Sequence, residues 1–339
     1  MITKKKILVT GSAGFIGSHL TLQLLNKGNT VIGIDNHNSY YDISLKESRL
    51  KKFLNHKNYK NNKINIDDAV KLEIIFKENK FDIVVNLAAE AGVRHSILNP
   101  KTFIKSNIIG FHNILDLCKV YNISHLVYAS SSSVYGSNSK IPFSVEDSVA
   151  HPISTYAMTK RSNELLAHVY SHLYNIPTTG LRFFTVYGPY GRPDMALFKF
   201  VEKILKGETL EIYNNGNHKR DYTYIDDIVD ATIKIMGSPA KCNNEWSSSN
   251  PSLGSSSAPW KIYNIGNSRM VELNYFVKLI EDTLDIKAKK LFLPMQPGDV
   301  ENTFANIDNL TSDFNFEPKV KIEEGVKKFI EWYRDYYKI

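Results

Sequence analysis

Cysteine is scarce in this chain of 339 residues. Cys118 and Cys242 alone cannot build a disulfide framework. Cys118 falls in an apolar helical pattern and reads as core; Cys242 lies in a polar segment and reads as exposed. Long apolar runs are missing too. None approaches the roughly 20 residues that a membrane-spanning helix needs. The basic N-terminal residues lead into no signal-peptide core, because Gly11 and Ser12 interrupt the apolar stretch. A cytoplasmic protein is therefore expected. Clustered basic charge is also lacking. The net charge is +7, yet no basic run exceeds Lys4-Lys5-Lys6. No basic stripe with interleaved aromatics is present, which excludes a nucleic-acid role. The scattered lysines fit solvated surface and a mild bias toward an anionic small substrate. There is no internal repeat, and no metal site is expected.

What is present is enough for a sizeable core. Hydrophobic residues make up 42% and charged residues 23%, the balance of a globular protein of one large or two smaller domains. Ile7-Leu8-Val9-Thr10 is a short apolar run ending at glycines, hence a buried strand. Gly11, Gly14 and Gly17 follow, then Leu20, Leu24 and Leu25 at helical spacing. Val31-Ile32-Gly33-Ile34-Asp35 is a second strand ending in an acid. Strand, glycine turn, helix, strand and acid form a dinucleotide fingerprint. Gly11 permits the tight turn, Gly14 lets the backbone approach a pyrophosphate, and Gly17 lets helix and strand pack closely. The helix start presents unpaired N–H groups to the phosphates. Asp35 would accept from the adenosine ribose hydroxyls, and no Arg follows nearby, so NAD is favoured over NADP.

Strand and helix patterns then alternate. Ile64 to Asp67 reads as a third strand, Asp82 to Leu87 as a fourth and Leu126 to Ala129 as a fifth, with Phe103 to Val120 as one long helix between the last two. Thr178 to Phe183 reads as a further strand. This order predicts an α/β fold with a Rossmann-type doubly wound parallel sheet, whose ligands lie beyond the carboxyl ends of the strands. Residues 1–180 are expected to bind the dinucleotide, and residues 181–339 to form mainly a smaller substrate-binding α/β domain with some interleaving. A Ser-, Asn- and Pro-rich stretch near 238–260 has no periodicity and reads as an exposed loop.

The chemistry centres on Ser130 to Ser133 and on Tyr156 and Lys160. Spaced four apart, Tyr156 and Lys160 share one helical face. Oxidising a secondary alcohol needs a base for the hydroxyl proton as hydride leaves carbon. A free Tyr, with a pKa of about 10, is a poor one at neutral pH. A Lys ammonium about 4 Å away favours the phenolate by roughly 4 kcal/mol at an effective dielectric of about 20. Burial opposes this, and a positive nicotinamide ring reinforces it.

With these pieces assembled, the chain resembles the extended short-chain dehydrogenase/reductases, and among them the nucleotide-sugar epimerases, most nearly UDP-glucuronate 4-epimerase. The resemblance spans nearly the whole chain. It is carried by Leu87-Ala88-Ala89 with Ala91 to Arg94, by Ser130 to Gly136, by Phe184 to Pro189 and by Gly191 to Phe198. It implies a catalytic trio of Tyr156, Lys160 and Ser131. It implies NAD contacts from Gly11, Gly14, Phe15, Ile16 and Gly17, from Asp35, Asn36, Asn65 and Ile66, from Leu87, Ala88 and Ala89, and from Asn107, Val186, Tyr156 and Lys160. A homodimer through the helices around residues 107–121 and 156–174 is the family's usual assembly, and cell-surface polysaccharide supply its usual use.

For the substrate, the resemblance implies contacts from Ser131, Ser132, Ser133, Thr185, Met195 and Ala196. Tyr213 would stack on uracil or pack in the core. Arg220 would hold the pyrophosphate and Asp299 the uridine ribose. Arg192 and Arg94 are candidates for a sugar carboxylate, because Arg presents a fork of donors matched to oxyanions; either could instead meet phosphate or pair with an acid. Sugar dehydratases and decarboxylases carry an acid where Ser132 and Ser133 stand, so plain epimerisation is favoured. A hexose 4-epimerase usually has Asn at the position of Thr185. Two residues depart from the pattern: Asn65 replaces an Asp that meets the adenine amine, and Glu90 replaces Gln or His. UDP-N-acetylhexosamine or UDP-glucose/galactose epimerisation is the alternative chemistry. A non-catalytic NAD-binding regulator is the alternative of a different class.

Overall fold

A computed structural model describes residues 2–296 and 298–339. The first half alternates strand and helix: β1 (Lys6–Thr10), α1 (Phe15–Asn26), β2 (Thr30–Asp35), α2 (Ile43–Lys51), β3 (Tyr59–Lys63), α3 (Ala69–Glu78) and β4 (Ile83–Asn86). Two short helices, α4 (Val93–Leu98) and α5 (Pro100–Phe103), lead to α6 (Gly110–Val120) and β5 (His125–Ser131). The long helix α7 (Thr155–Tyr174) and β6 (Thr178–Phe183) follow. The second half contributes β7 (Thr185–Tyr187), α8 (Ala196–Leu205), β8 (Thr209–Ile212), β9 (Lys219–Tyr224), α9 (Ile225–Met236), β10 (Trp260–Ile265), β11 (Met270–Glu272), α10 (Leu273–Leu284), β12 (Lys289–Phe292), α11 (Asp308–Phe314) and α12 (Ile322–Tyr337).

Seven strands form one sheet in the order β10-β6-β5-β4-β1-β2-β3, and every pairing in it is parallel. A parallel sheet needs both faces covered. Accordingly β1 after Lys6 and β4 are mostly apolar and buried, and β6 is buried throughout with Arg182 as its one charged residue; one core cluster lies on each face. The chain order reverses between β1 and β4, which opens the ligand crevice of such folds beyond their carboxyl ends. The second half is not separate, because β10 completes this sheet beside β6. It also makes two small sheets, β11-β9-β7 and β12-β8. Among the described residues, no helix is long and apolar enough to cross a membrane.

Three expectations are corrected. The third strand is Tyr59–Lys63, not Ile64–Asp67. It sits at the sheet edge and pairs only with β2, so the polar sequence YKNNK is tolerated there. The long helix across Phe103–Val120 is interrupted by a wider π-type turn at Ile104–Ile109. The stretch near 238–260 is exposed only in its first part. Glu146 ties it down through Ser252 Oγ (2.9 Å) and Leu253 N (2.8 Å), and Ala258 and Trp260 are buried.

Candidate functional site

A cavity of about 390 Å3 runs along the crevice. Its floor is the turn after β1. Gly11 has φ +71°, and a Cβ there would stand 2.9 Å from Ala88 N. A Cβ on Gly14 would stand 2.9 Å from the Gly11 carbonyl oxygen, and one on Gly17 would collide with it. Glycine is therefore required by close approach as well as by backbone angle. Helix α1 starts with Gly14 as its N-cap, with no capping side chain among the described residues and no acid in the first turn. Its N–H groups are left for an anion. Asp35 is buried at the end of β2, its carboxylate accepting from Ala13 N (3.1 Å) and His37 N (2.9 Å). Phe15, Ile16, Asn36, Asn65, Ile66, Leu87, Ala88, Ala89 and Val186 line the same cavity. A glycine cradle, a free helix start and an acid at the ribose position fit NAD.

Tyr156, Lys160 and Ser131 face this cavity from α7 and the end of β5. Ser154 caps α7 by accepting from Ala157 N (3.1 Å), which fixes the first turn that carries Tyr156. Burial pushes the Tyr156 phenol above its ordinary pKa, while the Ser131 hydroxyl and the Arg192 charge pull it partway back. Lys160 lies on the same side of α7 as Tyr156. Its Nζ stands 6.0 Å from the Tyr156 ring centre and donates to the Ala129 carbonyl oxygen at 2.8 Å. Burial lowers the Lys160 pKa to about 8. The ammonium is thus anchored at the strand end, and the Arg192 charge also favours the Tyr156 phenolate.

Ser132, Ser133 and Thr185 line both this cavity and an adjoining one of about 160 Å3 that Arg220 and Asp299 also line. Arg192 and Met195 face the larger one. Arg192 is already paired: Nε donates to Asp194 Oδ1 at 3.0 Å, and Nη2 donates to Asp194 Oδ2 and to the Ala91 carbonyl oxygen. Tyr40 donates to the same Asp194 oxygen at 3.2 Å. Burial raises the Asp194 pKa, but Arg192 outweighs it and keeps the carboxyl below its ordinary range. Asp299 accepts from Arg220 Nη2 at 3.0 Å. Tyr213 and Arg94 lie outside both cavity linings and meet each other, the guanidinium 5.2 Å from the ring centre. Ala196 begins α8 and lines neither cavity.

Asn107 does not face the cavity. Buried in the π-type turn, it holds the Glu90 backbone by accepting from Glu90 N (2.8 Å) and donating to Glu90 O (3.0 Å). Asn65 Oδ1 already accepts from Asn36 Nδ2 at 2.7 Å, which leaves it one lone pair for a further donor. Sequence reading missed Lys46, Tyr40 and Asp194. Lys46 is buried, donates to Asn38 at 2.7 Å and stands 3.9 Å from Asp35. The polar, aromatic stretch after β2 gave one usable signal: Asp42 caps α2, which turns Lys46 back toward the cavity it lines.

Comparison with known proteins agrees with this geometry. The model of the NAD dependent epimerase/dehydratase family matches residues 7–249. The chain belongs to that family. It is an extended short-chain dehydrogenase/reductase of the NAD-dependent epimerase type. It is 54% identical to "Protein CapI" of Staphylococcus aureus over 98% of this chain and 99% of the relative. It is 42% identical to a probable UDP-glucuronate 4-epimerase of Rhizobium meliloti, over 98% of each. Among solved structures it resembles UDP-glucuronic acid 4-epimerase from Bacillus cereus in complex with UDP-glucuronic acid and NAD. The TM-score is 0.85 at 32% identity, covering 98% of this chain and 100% of that one.

Proposed function

We propose that this protein interconverts UDP-glucuronate and UDP-galacturonate through a 4-keto sugar. The observation that carries the reading is the convergence of Tyr156, Ser131, Thr185 and Arg192 on the cavity whose floor is the glycine turn. NAD, held by the glycine turn and Asp35, would supply the hydride acceptor and, once reduced, the hydride donor for C4. Tyr156 would take the 4-hydroxyl proton and give it back. Ser131 would bond the 4-oxygen and relay that proton. Lys160 would hold the nicotinamide ribose, and Thr185 with Arg192 would receive the carboxylate. Residues 1–180 serve the cofactor and 181–339 mainly the nucleotide sugar.

Proton NMR of the NAD-loaded protein with UDP-glucuronate should show galacturonate anomeric signals growing to equilibrium. One observation favours a neutral sugar instead: Asp194 already neutralises Arg192, and Glu90 adds negative charge to the cavity wall. Turnover of UDP-N-acetylglucosamine or UDP-glucose without turnover of UDP-glucuronate would establish that second reading and sink the first.

The proposal extends to a cytoplasmic homodimer supplying a uronate donor for polysaccharide assembly. Ile109 and Val120, at the ends of the segment that includes α6, and Leu165, Val169 and Leu173 on α7 are exposed apolar residues on the two helices. Scattered exposed apolar residues need no explanation, but such a group on adjacent helices supports the reading of an interface. Light scattering should give twice the monomer mass. Replacing both Leu165 and Leu173 by Glu should halve it; a monomeric parent protein rules the dimer out.

A further inference from the structure

Arg94, on the first turn of α4, reaches two positions of the chain's second half. Its guanidinium covers Tyr213, and one terminal nitrogen stands 3.6 Å from Asp299 Oδ2. Asp299 has other donors. Arg220 Nη2 and the Val300 N–H each donate to Oδ1 at 3.0 Å. Asp299 can therefore release Arg94 and remain held.

On the proposed UDP-sugar reading, and in the roles the resemblance implies, on which the inference rests, Tyr213 stacks the uracil and Asp299 holds the uridine ribose. Arg94 covers one face of the Tyr213 ring, so a base stacking on that face displaces it, and ribose hydroxyls bonding Oδ2 weaken its 3.6 Å ion pair. We infer that Arg94 is an internal competitor for the uridine subsite and sets the preference for ligands bearing a diphosphate. Once base and ribose displace it, the guanidinium loses its carboxylate and needs another anion. The diphosphate is the anion such a ligand brings. Uridine alone displaces Arg94 and offers nothing in return.

The test compares uridine and UDP binding to the NAD-loaded protein, by ligand-observed NMR and calorimetry. It uses the parent protein, Arg94→Gln and Arg94→Lys. The side chain is about half exposed, so these changes leave the fold intact. A cation over an exposed ring and an exposed ion pair are both weak, so Arg94→Gln should bind uridine about three- to tenfold more tightly. UDP should gain less or weaken, so its preference over uridine falls at least about threefold by the same reasoning. Arg94→Lys keeps the charge without the planar stack and should fall between. Uridine is neutral, so added salt, which screens Arg94 from Asp299, should strengthen its binding to the parent more than to Arg94→Gln. Unchanged or weaker uridine binding in Arg94→Gln overturns the competitor role and leaves the uridine reading standing. Failure of the parent to bind either ligand overturns both.

Discussion

Replacing Tyr156 by Phe is expected to lower kcat by about 10²- to 10⁴-fold, the usual contribution of a positioned general base. KM and NAD affinity should change little, because the ring is kept. The Tyr156 ring packs edge-on against Phe103 at 6.1 Å, a contact that Phe preserves. Circular dichroism and the melting temperature should therefore match the parent. The pH profile gives a second, independent reading. Burial raises the Tyr156 pKa, so the phenolate grows as pH rises and the rate climbs on the acid side. Ser131 opposes that rise, so Ser131→Ala should move the acid limb to higher pH. Lys160, lowered by burial to about 8, loses its proton above that value, and the rate should fall there. Parental kcat in Tyr156→Phe removes Tyr156 from the chemistry. An acid limb that stays put in Ser131→Ala removes Ser131 from its support.

The parts that could be read before the structure are those where physics leaves one residue type. The turn after β1 admits only glycine, because a side chain would strike the Gly11 carbonyl or the Ala88 backbone. Strands buried on both faces must be apolar or small, so β1, β2 and β4 announce themselves. Ser154, Tyr156 and Lys160 follow from helix capping and four-residue spacing. What escaped depends on partners distant in sequence. Strand β3 is polar because only one edge is paired, and the apolar Ile64 and Ile66 beyond it drew the assignment past its end. The π-type turn shifts the helical phase by only about one residue, too little to stand out in so short an apolar pattern. The spacing pairs Lys160 with Tyr156, but its bond to the Ala129 carbonyl at β5 is visible only once strand and helix are packed. Asp194 lies two residues beyond Arg192 in a motif that was read, but which side chain turns back to the other depends on Tyr40, more than a hundred residues earlier.

Arg182→Met is expected to destabilise the fold by about 3–5 kcal/mol, the cost of leaving a buried charge without its partner. Arg182 and Glu164 are 1% and 0% exposed, joined by two bonds of 2.9 and 3.0 Å. Ser130 Oγ also donates to Glu164 at 2.6 Å, and Arg182 donates to the Tyr135 hydroxyl, which in turn donates to Asn264. This network ties β5, α7, β6 and β10 together directly behind Ser131 and Tyr156. Burial alone would raise the Glu164 pKa, but Arg182 and Ser130 hold it below the ordinary value. The parent pair therefore stabilises above the unfolded carboxyl pKa of about 4.3 and loses that contribution as pH falls through the lower folded value. In Arg182→Met the sign reverses. Glu164 folds best protonated, so the gap between parent and variant, measured by urea unfolding, should be largest near pH 7 (about neutral) and narrow toward about pH 5. Arg161 still donates to Glu164 at 3.0 Å, which places the expected loss toward the lower end of the range. Adding Glu164→Leu to Arg182→Met should recover much of the stability, because an apolar pair leaves no buried charge. It should not recover activity, since Ser130 then has no carboxylate to fix the strand end that carries Ser131. Activity restored together with stability in the double variant would show that the network supports the fold without positioning the site.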